Sequence, residues 1–293
     1  MAKLDVAALR AEFSGPHELV RTSDGRTLFV RRWDAGSESA VSVLIFHGIT
    51  AHSGPYGPIL AEPLARAGIN VFGMDLRGHG LSDGVRGDYP SSERLVSDLS
   101  ETVAFVRARS HKLVVLGHSL GVLSAVHAEK GRPKEIDGLV LLSAGRKIRA
   151  GTYRRPSAKA VLKSLIGVAL LRGTPLIEFR REGMVGLADP LFNFEYSARF
   201  YSAMFGTGVL ELSRSMQEGR LDSPYLRFDR KLPVPLLVGV GDQDEAFPVE
   251  SARELLEGFD CDDKEFLVIP GARHAVFPKD AWDPLVAWLH RRF

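Results

Sequence analysis

At 293 residues, with 45% hydrophobic and 25% charged content, the chain has the composition of an ordinary soluble protein and the length to bury a full core, either as one large domain with an insertion or as two modest domains. A net charge of +2, with acids and bases spread along most of the sequence, gives no reason to expect a nucleic-acid partner. The single cysteine, Cys261, cannot close an internal disulfide, and no motif surrounds it that would make it a catalytic thiol.

In chain order, "MAKLDVAALRAEF" has the pattern of a short amphipathic helix with charges at Lys3, Asp5, Arg10 and Glu12. It carries no long apolar stretch, which argues against secretion and for a cytoplasmic protein. Seven short β-branched runs then follow as expected strands: Thr27 to Trp33, Val41 to Phe46, Ile69 to Asp75, Lys112 to Gly117, Gly138 to Ala144, Pro235 to Val240 and Glu265 to Pro270. From the second onward they are mostly apolar throughout, the pattern of strands covered on both faces. Helical patterns fall between them at Pro58 to Ala67, Ser92 to Arg109, Leu120 to Lys130, Glu250 to Gly258 and Ala281 to Arg292. Strand alternating with helix predicts an α/β fold built on a mostly parallel sheet with right-handed crossovers.

The alternation breaks once. Residues 145–232 show no convincing strand; instead they carry helical segments at Ala158 to Leu171 and Ser197 to Gln217 and a cluster of Phe192, Phe194, Tyr196, Phe200, Tyr201 and Phe205. The expected organisation is a core of residues 1–144 and 233–293 with a helical cap, 145–232, inserted over one edge of the sheet. The most apolar stretch, Ser164 to Leu171, is too short for the roughly 20 residues of a membrane span.

Chemistry concentrates at strand ends. Gly117-His118-Ser119-Leu120-Gly121 is G-x-S-x-G between an expected strand and an expected helix, the context of a nucleophile elbow. So sharp a turn strains the serine backbone, and glycines on either side avoid collisions that a β-carbon would cause. A serine hydroxyl needs a base, and the base an orienting acid, here in the order Ser, Asp or Glu, His. "PLLVGVGDQDEAFP" supplies acids just past one strand, and "EFLVIPGARHAVF" supplies His274 after the next. Of the nine histidines only His274 fits by order and place. Asp242 and Asp244 both remain candidates for the acid; the G-x-x-D spacing from Gly241 favours Asp244, with Asp242 as a loop cap. His118 is expected to pack, His47 to form structural hydrogen bonds, and His17, His111 and His290 to lie at the surface. "FHGIT", Phe46 to Thr50, follows the second strand. There a sharp turn leaves the N–H of Ile49 free to join that of Leu120 as a two-donor oxyanion hole.

On "HGITAHSGPYGPILAEPLARAGINVFGMDLRGHGLSDG" (His47 to Gly84), "GHSLG", "GDQD" and "GARH", the sequence resembles the α/β-hydrolase superfamily, in its monoglyceride lipase and lysophospholipase-like branch, often grouped with serine aminopeptidases. The resemblance covers nearly the whole chain outside the cap. It implies Ser119 as nucleophile, Asp244 and His274 as its partners and the Ile49 and Leu120 amides as oxyanion donors. "DLRGHGLS", Asp75 to Ser82, looks like the family's loop after the third strand and is read as architecture. Monoglyceride lipases tend to carry a glutamate and an arginine, near the alcohol side of the substrate, where this sequence has Ala51 and Pro55, which leaves glycerol specificity open.

The expected activity is hydrolysis of a small carboxylic ester with a medium, lipid-like acyl chain, with no metal or organic cofactor. An aminopeptidase-type amide hydrolase is the enzyme alternative and would draw on Glu178, Glu182 or Glu195 to hold an ammonium; a non-catalytic ligand-binding protein is the other. The cap is basic, with Arg146, Lys147, Arg149, Arg154, Arg155, Lys159, Lys163, Arg172, Arg180 and Arg181. That is the pattern of a solvated face, of peripheral contact with an anionic membrane or of a hold on an acidic substrate, with the solvated face favoured.

Overall fold

The computed structural model describes residues 4–36, 39–149, 152, 158–179, 186, 188–221, 223–226 and 230–293. Helix α1 (Val6–Glu12) leads into strands β1 (His17–Arg21), β2 (Thr27–Trp33) and β3 (Val41–Phe46). The expected helix after β3 begins as a wider π-turn, Gly57–Ala61, before α2 (Glu62–Arg66). Then come β4 (Asn70–Met74), α3 (Ser92–Arg107), β5 (Lys112–His118), α4 (Gly121–Gly131) and β6 (Gly138–Leu142). The inserted region holds α5 (Ala158–Ala169), β7 (Ile177–Glu178), β8 (Glu195–Tyr196), α6 (Ala198–Phe205) and α7 (Val209–Gln217). The chain closes with β9 (Leu236–Gly241), α8 (Val249–Glu257), β10 (Lys264–Ile269) and α9 (Asp283–Arg292).

Eight strands form one sheet in the order β1-β2-β4-β3-β5-β6-β9-β10. All neighbours from β4 to β10 are parallel; β1 and β2 pair antiparallel with each other and β2 antiparallel with β4. β3 and β5 lie side by side while their onward connections run to opposite sides, so a crevice opens outside their carboxyl ends, where open parallel sheets collect ligands. Phe46 pairs with Gly117, which puts the loop after β3 level with the elbow after β5.

Each face of the sheet is covered. Leu95, Leu99, Val103 and Val106 of α3, spaced three and four apart, bury on one face with the body of α4 and with Ala252 and Leu255 of α8. Leu64 of α2 and Leu285, Trp288 and Leu289 of α9 cover the other. Ser91 caps α3 by accepting from the Arg94 N–H at 3.2 Å.

Some expectations change. The inserted region is not all-helical, since β7 and β8 form a two-residue antiparallel ladder, Ile177 opposite Tyr196. The single helix expected over 197–217 is two, because Gly206 takes a left-handed φ of 71° that ends α6. Strand β10 is only partly buried because it lies at the edge of the sheet, and β1, whose "HELVR" mixes charges with Leu19 and Val20, is the other edge. The inserted region is tied down by Asp88, which accepts from Ser197 Oγ at 2.5 Å and from Arg199 Nε at 2.7 Å. Among the described residues no helix is long and apolar enough to cross a membrane.

Candidate active site

The turn after β5 holds Ser119 at φ 55°, a left-handed conformation that a side-chain-bearing residue adopts only under constraint. Its amide donates to Leu142 O at 2.9 Å. A β-carbon on Gly117 would lie 2.3 Å from Gly121 O, and one on Gly121 would lie 2.0 Å from Phe46 O. Glycine is therefore required on both sides by backbone approach. The serine itself stays partly exposed.

Ser119 Oγ lies 2.9 Å from His274 Nε2, and His274 Nδ1 lies 3.0 and 3.1 Å from the two oxygens of Asp244. A carboxylate facing Nδ1 selects the tautomer with its proton there, leaving Nε2 free to accept the serine O–H. Asp244 is fully buried, which by itself would raise its pKa. The net shift is downward because the His274 ring and the N–H groups of Phe247 and Ala246, at 2.9 and 2.8 Å, hold the carboxylate in its ionised form. Glu245 accepts the His274 main-chain N–H at 3.0 Å and fixes the loop that carries His274. Asp242 is exposed and accepts from Gly271 N at 2.8 Å, bracing the two loops rather than meeting the imidazole.

The loop after β3 passes directly over the serine: a β-carbon on Gly48 would lie 3.2 Å from Ser119 Cβ. Thr50 has a left-handed φ of 70°. Its N–H donates to Tyr196 Oη at 2.7 Å, while the Gly48 N–H donates to Tyr56 Oη at 2.9 Å. Between them, the Ile49 N–H has no acceptor among the described residues, and neither has the Leu120 N–H that opens α4. Asn193 N also donates to Thr50 O at 2.9 Å, so the inserted region grips this loop at both of Thr50's main-chain groups.

Sequence inspection missed a buried chain of hydrogen bonds. Tyr56 Oη accepts from Gly48 and so donates to His118 Nδ1 at 2.7 Å; His118 Nε2–H in turn donates to the main-chain oxygen of His274 at 2.8 Å. The residue before Ser119 thus joins the loop of Ile49 to the loop of His274. Nothing in the spacing of Tyr56, His118 and His274 announces this. His47 behaves as expected of a structural group: Nδ1–H donates to Gly48 O and Nε2 accepts from Leu76 N, and burial lowers its pKa to about 4. His17 differs from its expected surface position, since its ring stacks on Phe29 with centroids 4.9 Å apart. Cys261 is buried with its thiol pKa raised by burial.

In the inserted region, Tyr196 and Phe200 are fully buried and pack against the His79 ring, so these aromatics serve the seam with the core. Leu162, Leu165, Ile166 and Leu170 are all exposed, at three- and four-residue spacing along and just past α5, with exposed Lys159, Lys163 and Arg172 nearby in sequence. Lys147 pairs with Glu254 at 2.5 Å, Lys163 with Glu195 at 3.7 Å, and Arg149 donates to Asp244 O. Arg154, Arg155, Arg180, Arg181 and Glu182 lie outside the described residues. His52, from the loop after β3, meets Asp189 of the inserted region at 3.0 Å.

Residues 37–280 match the family model described as serine aminopeptidase, S33. The chain is 27% identical over 261 residues to a monoglyceride lipase of Rattus norvegicus, covering 87% of this chain and 82% of that one. It is 27% identical over 269 residues to a monoacylglycerol lipase of Mycolicibacterium smegmatis, covering 88% and 90%. Among solved structures, a monoacylglycerol lipase of Paleococcus ferrophilus superposes with a TM-score of 0.63 at 25% identity, over 91% of this chain and 99% of that one.

Proposed function

This chain belongs to the serine aminopeptidase, S33 family of the α/β-hydrolase superfamily and is a carboxylic ester hydrolase, and we propose that it cleaves medium-chain, monoacylglycerol-like or lysophospholipid-like esters through Ser119, His274 and Asp244. The observation that carries the proposal is the unbroken contact from Ser119 Oγ to His274 Nε2 to Asp244, with bonding distances of 2.9, 3.0 and 3.1 Å.

In this mechanism His274 Nε2 takes the hydroxyl proton as Ser119 Oγ attacks the ester carbonyl. The negative oxygen is held by the N–H groups of Ile49 and Leu120, and Asp244 stabilises the imidazolium. The tetrahedral intermediate collapses, His274 returns the proton to the leaving alcohol, and water repeats the sequence on the acyl-serine. Elbow chemistry that needs an aspartate, as in dehalogenation or epoxide opening, has no nucleophile at this position.

The same proposal assigns residues 1–144 and 233–293 to the core and 145–232 to a cap that shapes the acyl site. The exposed leucine and isoleucine stripe of α5, with Lys159 and Lys163 beside it, supports peripheral contact with a lipid surface and delivery of an amphiphilic ester. The one cysteine, Cys261, is a free and buried thiol, which supports a reducing compartment such as the cytoplasm. An ester is favoured over an aminoacyl amide because Glu195 is already paired with Lys163. With Ala51 and Pro55 at the alcohol side, the acyl chain rather than glycerol dominates selection.

A fluorophosphonate probe tests the nucleophile: labelling that disappears in Ser119→Ala supports it, and equal labelling of that variant refutes it. A series of p-nitrophenyl esters run beside aminoacyl amides then tests substrate class. Turnover that peaks at medium chain length is expected, and faster amide than ester cleavage would overturn the assignment.

A further inference from the structure

Alternate residues of a strand share a face. On β2, Leu28 and Val30 enter the main core, while Phe29, Arg31 and Trp33 point to the other side. There a cleft of about 600 Å³, separate from the triad, is walled by Phe13, Pro16, Trp33, Pro58 and Ala65 and lined by Arg31.

Arg31 is unusual. Only 9% of it is exposed, and its Nε is buried with no hydrogen-bond partner. Among the described residues its guanidinium makes no hydrogen bond or ion pair; it lies over aromatic rings, 4.4 Å from the Phe13 centroid and 5.2 Å from that of Phe29, and beside Gly54. The two carboxylates that act on it electrostatically are committed elsewhere. Asp75 accepts from Ser53 N, Ser53 Oγ and Leu81 N, and Asp189 from His52 Nε2 and Leu191 N. Its neighbour Arg32 is spent on Glu18 and Asp34, at 2.6 and 2.9 Å.

A buried cation without an acceptor is costly, and a planar guanidinium is best satisfied by two oxygens of one anion. Asp34 and Glu62 also line the cleft, but each has an arginine partner, Arg32 at 2.9 Å and Arg66 at 3.9 Å. Phe13, Pro16, Trp33, Pro58 and Ala65 give the rest an apolar and aromatic wall that suits the body of a small organic molecule rather than a bare ion. We propose that this cleft is a second binding site, for a small carboxylate with an aromatic or apolar body, in which Arg31 takes the carboxylate and Phe13 and Trp33 take the body. The site is independent of the ester-hydrolysis proposal.

The test is a fluorine NMR titration of 4-fluorobenzoate into the full chain carrying Ser119→Ala, so that no turnover intervenes, with neutral 4-fluorobenzamide and inorganic phosphate as comparisons. Saturable binding of the benzoate at least about tenfold tighter than of the amide or phosphate, weakened at least about tenfold by adding Arg31→Met, is expected. Undiminished benzoate binding in the Arg31 variant, equal binding of the amide, preference for phosphate, or no saturable binding at millimolar ligand each overturns the proposal. Should Arg31→Met fail to fold by circular dichroism, Ala65→Phe, which fills the cleft from α2, takes its place, and retained benzoate binding refutes the site. Fluorophosphonate labelling of Ser119 in the parent chain reports separately on the hydrolase.

Discussion

Replacing Tyr56 by phenylalanine removes one oxygen from the junction between the Ile49 loop and the His274 loop. Tyr56 is 4% exposed, so no solvent takes the place of its hydroxyl. Two buried groups lose their partners: the Gly48 N–H, now 2.9 Å from Oη, and His118 Nδ1, now 2.7 Å away. Each unsatisfied buried group costs about 1–3 kcal/mol, so the variant should lose about 2–6 kcal/mol, a large share of the roughly 5–15 kcal/mol that holds a domain together. The ring still fills its space, so no cavity adds to that figure. Catalysis should suffer as well. Gly48 adjoins Ile49, the proposed oxyanion donor, and removal of a whole oxyanion donor costs about 10²–10³ in kcat, which bounds the loss from above. We expect kcat to fall by about 5- to 50-fold with KM nearly unchanged, because the displaced donor acts on charge that develops only in the transition state. Urea unfolding gives the first number and p-nitrophenyl ester kinetics the second. A variant with an unshifted unfolding midpoint and kcat within about twofold of the parent would refute the coupling.

Asp244→Asn should lower kcat by about 10³–10⁴-fold, since an amide no longer fixes the His274 tautomer, whereas Asp242→Asn, at an exposed position, should stay within about twofold; steady-state kinetics on both decides between the two acids. Gly121→Ala drives a β-carbon to 2.0 Å from Phe46 O and should cost about 3 kcal/mol or more; an unchanged urea midpoint would contradict the packing described for the elbow. His47 and His127, lowered by burial from 6.5 to about 4, stay neutral in the folded chain while an unfolded chain takes up protons. Stability should therefore be lost as pH falls from about 6.5 to about 4, by up to about 3 kcal/mol for each ring, and a flat urea midpoint across that range would show that the rings are not shielded.

Much of this molecule is legible in its residues. Apolar runs such as "VSVLIF" and "KLVVLG" declare covered strands because burial on both faces leaves no polar position, and Gly117, Ser119 and Gly121 mark the elbow because only that composition survives so sharp a turn. The order of Ser119, the acids after β9 and His274 follows from the succession of parallel strands, whose carboxyl ends all open to the same edge. The G-x-x-D spacing leaned to Asp244 over Asp242, and tertiary structure supplied the physical reason, because the turn after Gly241 buries the first against His274 and leaves the second in solvent. It alone joined Tyr56 to His118 across 62 positions, Thr50 to Tyr196 across 146 and His118 to His274 across 156. It alone left Arg31 buried without a partner beside a cleft. Periodicity records how each element divides its surface between core and water, a local property. A hydrogen bond between distant segments is fixed by where the sheet sets their ends in space, and that leaves no trace in spacing along the chain.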